Sequence, residues 1–295
     1  MPERVFITGV GPVSAIGIGR EEFAAALAAG ESGVIGEPPL ARIEEFRIED
    51  YLTSQKTYLD RCSEFTLAAC ALALKDAGLD IADRPHWRAG LSLGTAYGCL
   101  DTLQRFTATL FDKGPRLANP LLFSHAYANT PASLAAIEFN LAGYHAVFTD
   151  GPASSAMAVV AAAEAIQAGR ADYVLAGGAD ALSEPVLALP TENDAAPGEG
   201  AGVIVLEAPA HANQRGAVIR GEISEWAWND VGAGCDAITA ADSLHNLTGD
   251  TRSASASLAV IAALRELRGH QSACVTVRDG ARALAITIRG PELSG

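Results

Sequence analysis

Residues 154–168 read SSAMAVVAAAEAIQA, and the run stops at Gly169 with Glu164 as its single charge. A helix that is apolar on nearly every side is not a surface helix. It is also too short to cross a bilayer, which takes roughly 18 apolar residues or more. Other elements must therefore cover it all round. That requirement predicts a layered architecture with central helices sandwiched between sheets.

The rest of the chain supplies the layers. Strand-like runs fall at 5–7, 89–93, 146–148, 173–176, 201–206, 218–224, 273–277 and 284–288. Helical periodicity falls at 20–29, 64–77, 103–111, 131–140 and 254–267. Gly30 and Gly78 follow two of these helices as stops, and Asn129 or Thr130 stands as a cap for a third. Strands alternating with helices predict an α/β domain with a mostly parallel sheet. Most helices precede residue 206. Residues 183–200, rich in Pro, Glu and Gly, read as a surface loop.

Composition excludes several function classes. The chain has 295 residues, 49% of them hydrophobic, and a formal charge of −14. Nucleic-acid and anionic-membrane binding need an excess of Lys and Arg, so neither partner is expected. The N-terminus leads directly into a strand-like run, which predicts no secretory signal and a cytoplasmic protein. Five cysteines, at 62, 70, 99, 235 and 274, form no CxxC pair, so no metal and no disulfide framework is expected. Gly9-x-Gly11-x-x-Ser14 lacks the third glycine and the immediate helix of a dinucleotide loop. It reads as a tight turn over 8–12, and no cofactor is predicted.

The segment Val5-Phe6-Ile7-Thr8-Gly9-Val10-Gly11-Pro12-Val13-Ser14 resembles the N-terminus of β-ketoacyl synthases. So do Glu31-Ser32-Gly33, Asp60-Arg61 and Asp76-Ala77-Gly78-Leu79. The stretch 166–180, ending Gly177-Gly178-Ala179-Asp180, resembles that family's helix-to-strand segment after its nucleophile. Gly198-Glu199-Gly200-Ala201-Gly202 resembles its next signature. Order and spacing match through about residue 225. The resemblance implies a thiolase-like layered αβαβα fold, α/β in class, with a shortened C-terminal half. It further implies an N-terminal ketosynthase-like half at 1–207 and a truncated half at 208–295, packed as one globular unit.

The family's chemistry uses a Cys at the head of the central helix and two His residues. By the family's spacing, the nucleophile position falls on Pro152 in Thr149-Asp150-Gly151-Pro152-Ala153-Ser154-Ser155. Proline starts a helix well but offers neither a nucleophile nor an N–H. The first His position matches Ala241. The second matches Asp250, with His245 where the family has Lys. The six histidines, at 86, 125, 145, 211, 245 and 270, are scattered. Ser154 and Ser155 would need a base to become nucleophiles. Asp150 could act as that base or cap the helix.

A triad degenerate at all three positions implies a noncatalytic subunit like the family's chain-length factors. Such a subunit pairs with an active ketosynthase across the strand before residue 150 and shapes the acyl tunnel of polyketide, aryl-polyene or fatty-acid-like biosynthesis. Thr102, Phe106, Thr109 and Leu110 share a helical face and are the tunnel- or partner-facing candidates, with Phe148 beside the dyad strand. An acidic acyl carrier protein is expected to dock mainly on the partner, because a −14 subunit repels it. The alternatives are an acyl-transfer enzyme using Asp150, Ser154 or His245, and a homodimeric acyl-binding or scaffold protein.

Overall fold

The computed structural model describes residues 3–80, 83–189, 194–229 and 235–291. Its first strand, β1 (Val5–Ser14), is buried along its whole length. The tight turn expected over 8–12 is thus corrected: the chain runs straight through it, with a register shift between Ile7 and Gly9. The glycines serve a different need. A Cβ on Gly9 would lie 2.3 Å from the Ala73 carbonyl oxygen, and one on Gly11 2.0 Å from that of Ala69. They let the long helix that follows lie directly on the strand.

The remaining strands are β2 (Gly17–Ile18), β3 (Ala89–Gly94), β4 (His145–Phe148), β5 (Tyr173–Asp180), β6 (Gly200–Glu207), β7 (Gly221–Trp228), β8 (Ala237–Ala240), β9 (Ser272–Asp279) and β10 (Arg282–Arg289). They form one ten-stranded sheet in the order β4-β3-β5-β6-β1-β7-β10-β9-β8, with β2 paired to β1. Only β3–β4, β3–β5 and β8–β9 are parallel. The expectation of a mostly parallel sheet is therefore corrected. Parallel pairs arise where a helix crosses between strands. Strands β5–β6 and β9–β10 instead turn back antiparallel, the latter through a two-residue loop, Gly280-Ala281, with Gly280 at φ 58°.

The helices are α1 (Arg20–Ala29), α2 (Arg61–Ala77), α3 (Leu100–Lys113), α4 (Pro120–Ser124), α5 (Thr130–Glu138), α6 (Ser154–Gln167), α7 (Glu184–Leu187), α8 (Pro209–Gln214), α9 (His245–Thr248) and α10 (Ala254–Glu266). Gly30 and Gly78 end α1 and α2 in the left-handed conformation, as read. Helix α2 starts three residues earlier than its periodicity, because the Asp60 carboxylate accepts the Cys62 N–H. Short helix α7 interrupts the loop expected over 183–200. Residues 190–193 of that loop lie outside the described residues.

Helices α2 and α5 cover one face of β4-β3-β5-β6-β1, and α6 and α10 cover the other. Strand β6 shows the division. Val203 and Val205 join the core under α2, while Ile204 and Leu206 join the core around α6 and α10. That second core also takes Val275, Val277, Leu284, Ile286 and Ile288 from β9 and β10. The central helices are thus enclosed from both sides, as the composition of 154–168 demands.

Candidate functional site

Strand β4 leads into a 3-10 turn, Gly151–Ala153, on which α6 stands. Gly151 takes φ 61°, and Pro152 supplies the fixed φ of a first helical turn. Ser154 Oγ accepts the Asp150 N–H at 2.7 Å and donates to the Gly151 carbonyl at 2.8 Å. Ser155 Oγ donates to the Ser253 carbonyl and accepts from the Ser257 N–H. Both serines are fully buried and hold helix ends together. The Asp150 carboxylate turns away to Arg282 Nη2, 3.3 Å distant. The expected Asp150 cap is therefore corrected: neither the 3-10 turn nor α6 carries a side-chain cap, and neither serine hydroxyl donates to a base.

The other two degenerate positions flank the same region. Ala241 opens a 3-10 turn, Ala241–Leu244, and is buried. That turn and the Pro152 turn both pack on β9 and α10. Ala153, Ala241 and Leu244 belong to one core with Val275 and Val277. Apolar side chains thus pack the buried side of the two turns, while Asp242 and Ser243 are exposed.

Asp250 lies just ahead of α10. Its carboxylate accepts the Arg252 N–H at 2.9 Å and pairs with Arg252 Nη1 at 3.3 Å. His245 Nε2 lies 3.6 Å from Asp250 Oδ1 and 3.3 Å from Ser255 Oγ. Carboxylate and hydroxyl meet the same ring nitrogen. A relay needs them on opposite nitrogens, so this trio is not a nucleophile–base–acid set. Burial lowers the His245 pKa more than the Asp250 charge raises it, which keeps the ring neutral near pH 7.

No thiol compensates. Cys62 and Cys70 sit on α2, Cys99 precedes α3, and Cys235 and Cys274 belong to the second half. Burial drives the Cys62 and Cys70 thiols far up, Cys99 to about 12 and Cys274 to about 11. These are inert core thiols. Among the described residues, no group of three or more His, Cys, Asp or Glu side chains is placed to hold a metal ion, and no helix is long and apolar enough to cross a membrane.

Asp180, whose role sequence reasoning missed, is the hub of the region. It closes β5 and is buried. Its carboxylate accepts from Thr95 Oγ1 at 2.8 Å and from the N–H groups of Ala96, Tyr97 and Ser253 at 2.9–3.0 Å. Burial nevertheless raises its pKa to about 6, against these bonds. The signal was an acid at the end of an apolar strand, where an unpaired charge is not tolerated.

The partner-facing candidates separate. Thr102 is corrected: it is buried and anchors α3, its hydroxyl donating to Asp60 Oδ2 at 2.8 Å. Thr109 is half-buried and its hydroxyl bonds the Arg105 carbonyl within α3. Phe106 and Leu110 are half-buried, with Phe106 5.3 Å from Phe123 in α4, which in turn stacks edge-on with Tyr127. Around them Phe111, Leu117, Leu121, Phe123 and Tyr127 are exposed. Phe148 is half-buried on β4, which pairs with β3 on one side and forms the sheet edge on the other.

The family model for the β-ketoacyl synthase N-terminal domain matches residues 2–193. The 3-oxoacyl-[acyl-carrier-protein] synthase I of Hordeum vulgare chloroplasts is 31% identical over 277 residues, covering 80% of this chain and 58% of that protein. The 3-oxoacyl-[acyl-carrier-protein] synthase 2 of Vibrio cholerae is 28% identical over 254 residues, covering 75% and 61%. The chain thus spans about three-fifths of the length of these curated relatives. In fold, it is similar to the ishigamide ketosynthase/chain length factor, with a TM-score of 0.84, 19% identity, and coverage of 99% of this chain and 100% of that one.

Proposed function

The chain belongs to the β-ketoacyl synthase family, and we propose that within it this chain is a noncatalytic, chain-length-factor-like subunit that pairs with an active ketosynthase. The observation that carries this reading is the start of α6. Where the family's resemblance calls for a thiolate, there stands Pro152, with its neighbours Ser154 and Ser155 committed to backbone bonds. The apolar packing around Ala153, Ala241 and Leu244 supports the same conclusion. Those side chains supply neither a nucleophile nor a proton acceptor.

The open edge of β4 supports a dimer. Its unpaired N–H and C=O groups are a template for another strand, and the exposed apolar side chains of α3 and α4 give a partner a surface to cover. Phe106, Leu110 and Phe148 are the side chains offered to a shared tunnel. The partner would supply the Cys and both His residues, and an acyl carrier protein would dock chiefly on it. The product is of polyketide, aryl-polyene or fatty-acid-like type.

Co-expression with a candidate ketosynthase tests the reading. A stable one-to-one complex is expected, active only with both chains, and Phe148→Asp is expected to weaken it at least tenfold without lowering the melting temperature of the isolated chain. An isolated chain that is a stable homodimer and never copurifies would overturn the heterodimer. Labelling of the isolated chain by an electrophilic acyl probe would overturn the noncatalytic assignment.

A further inference from the structure

At the C-terminal end of α10, away from the turns that carry Pro152 and Asp250, lies a cleft of about 360 Å³. Phe23 and Leu27 of α1 and Ile261 and Leu264 of α10 make its apolar floor. Arg20, Arg220, Arg265 and Arg268 stand around it. In a chain of net charge −14, four guanidinium groups around one apolar concavity are a strong local reversal of sign.

The four are not equivalent. Arg20 Nε and Arg220 Nε lie 2.9 and 2.7 Å from the two oxygens of Asp76, which also accepts the Val10 N–H. That one carboxylate engages both and offsets one of their two charges. Arg265 spans the Ala24 carbonyl at 3.0 Å and Glu266, a largely exposed acid, at 2.8 Å. Arg268 directs Nη1 to the carbonyls of Arg265 and Leu267, at 2.7 and 2.9 Å. Those bonds cap the end of α10 and fix the guanidinium, but they bring no countercharge. Among the described residues Arg268 forms no ion pair with a carboxylate, and its Nε and Nη2 form no hydrogen bond.

We propose that this cleft binds a medium-chain aliphatic carboxylate. The acid's two oxygens take the free Nε–H and Nη2–H of Arg268 side by side, the geometry in which guanidinium binds carboxylate best. Arg265, already paired with Glu266, also lines the cleft. The alkyl chain lies along Phe23, Leu27, Ile261 and Leu264. The volume sits at the lower end of the roughly 300–1,000 Å³ of small-molecule pockets, which limits the ligand to a short, single chain. Neither the degenerate catalytic positions nor the β4 edge takes part, so this site stands apart from the subunit role above.

The test is calorimetric titration of the full chain with octanoate, butyrate and octanol. Octanoate is expected to saturate at one per chain. Butyrate, lacking the tail, and octanol, lacking the charge, are expected to bind at least about tenfold more weakly. Arg268→Gln is expected to lower octanoate affinity at least about tenfold, or about 1.4 kcal/mol, while the melting temperature holds. Absence of octanoate binding overturns the site. So does octanol binding as tightly as octanoate, or an Arg268→Gln chain that keeps full affinity.

Discussion

At the scale of single residues, the most informative group is a carboxylate that the fold surrounds with donors and whose pKa burial nevertheless raises. Asp180 accepts three N–H groups and a hydroxyl, but complete burial lifts its pKa from 3.8 to about 6. Between about pH 4 and pH 6 the folded chain therefore binds a proton that the unfolded chain has released. Stability contributed by that proton is present at low pH and is lost as pH rises through 6. The shift corresponds to about 3 kcal/mol. Asp180→Asn cannot titrate, so its unfolding free energy is expected to change less across this window in urea titrations at successive pH values. It also turns an amide N–H toward the Ser253 N–H, one donor facing another, at a cost of about 1–3 kcal/mol. An unaltered pH slope in the variant would show that another group titrates. Pro152, Ala241 and Asp250 were legible as substitutions because they interrupt motifs. Asp180 lies within such a motif, but its role is not local, since only the folded chain brings residues 95–97, 180 and 253 to one point.

At the scale of elements, glycine has two distinct uses that local sequence does not separate. Gly30 ends a helix, and its missing Cβ faces open space. Gly11 lies in a strand, and a methyl group there meets the backbone of α2 at 2.0 Å. Gly30→Ala is expected to cost about 1 kcal/mol, the strain of a left-handed residue with a side chain. Gly11→Ala is expected to cost about 3 kcal/mol or more, because neither backbone gives way easily. Equal losses in chemical denaturation would refute this account of the strand–helix crossing. The helices were readable because their 3.6-residue pattern and glycine stops are local. The direction of strand pairing was not. Whether β6 returns beside β5 or crosses over depends on partners far apart in the chain, and β1 pairs with both β6 and β7.

At the scale of the whole molecule, the formal charge of −14 bears on the partner proposed above. A surface of net −14 repels an acidic carrier protein at long range, and salt weakens that repulsion. The isolated chain is expected to show no carrier-protein binding at low ionic strength, whereas the proposed complex with a ketosynthase is expected to bind with an affinity that falls as salt rises. Surface-plasmon measurements over a salt series check both. Salt-sensitive attraction to the isolated chain would place the docking surface here instead. Charge and the all-apolar helix were available from composition, and so was the layered plan. The cleft of four arginines was not, because Arg20, Arg220, Arg265 and Arg268 converge only when α1, β7 and the end of α10 are assembled.

Helices α6 and α10 draw their cover from strands on both sides of residue 207, and this governs how such a chain tolerates being cut. Expressed separately, fragments 1–207 and 208–295 would each leave a greasy helix half naked, so they are expected to precipitate alone and to recover a native far-UV spectrum when mixed. By the same reasoning, loss of sequence over evolutionary time is admissible only at the periphery. The interior pair acts as a keystone, fixing a floor below which the molecule stops shrinking and simply fails.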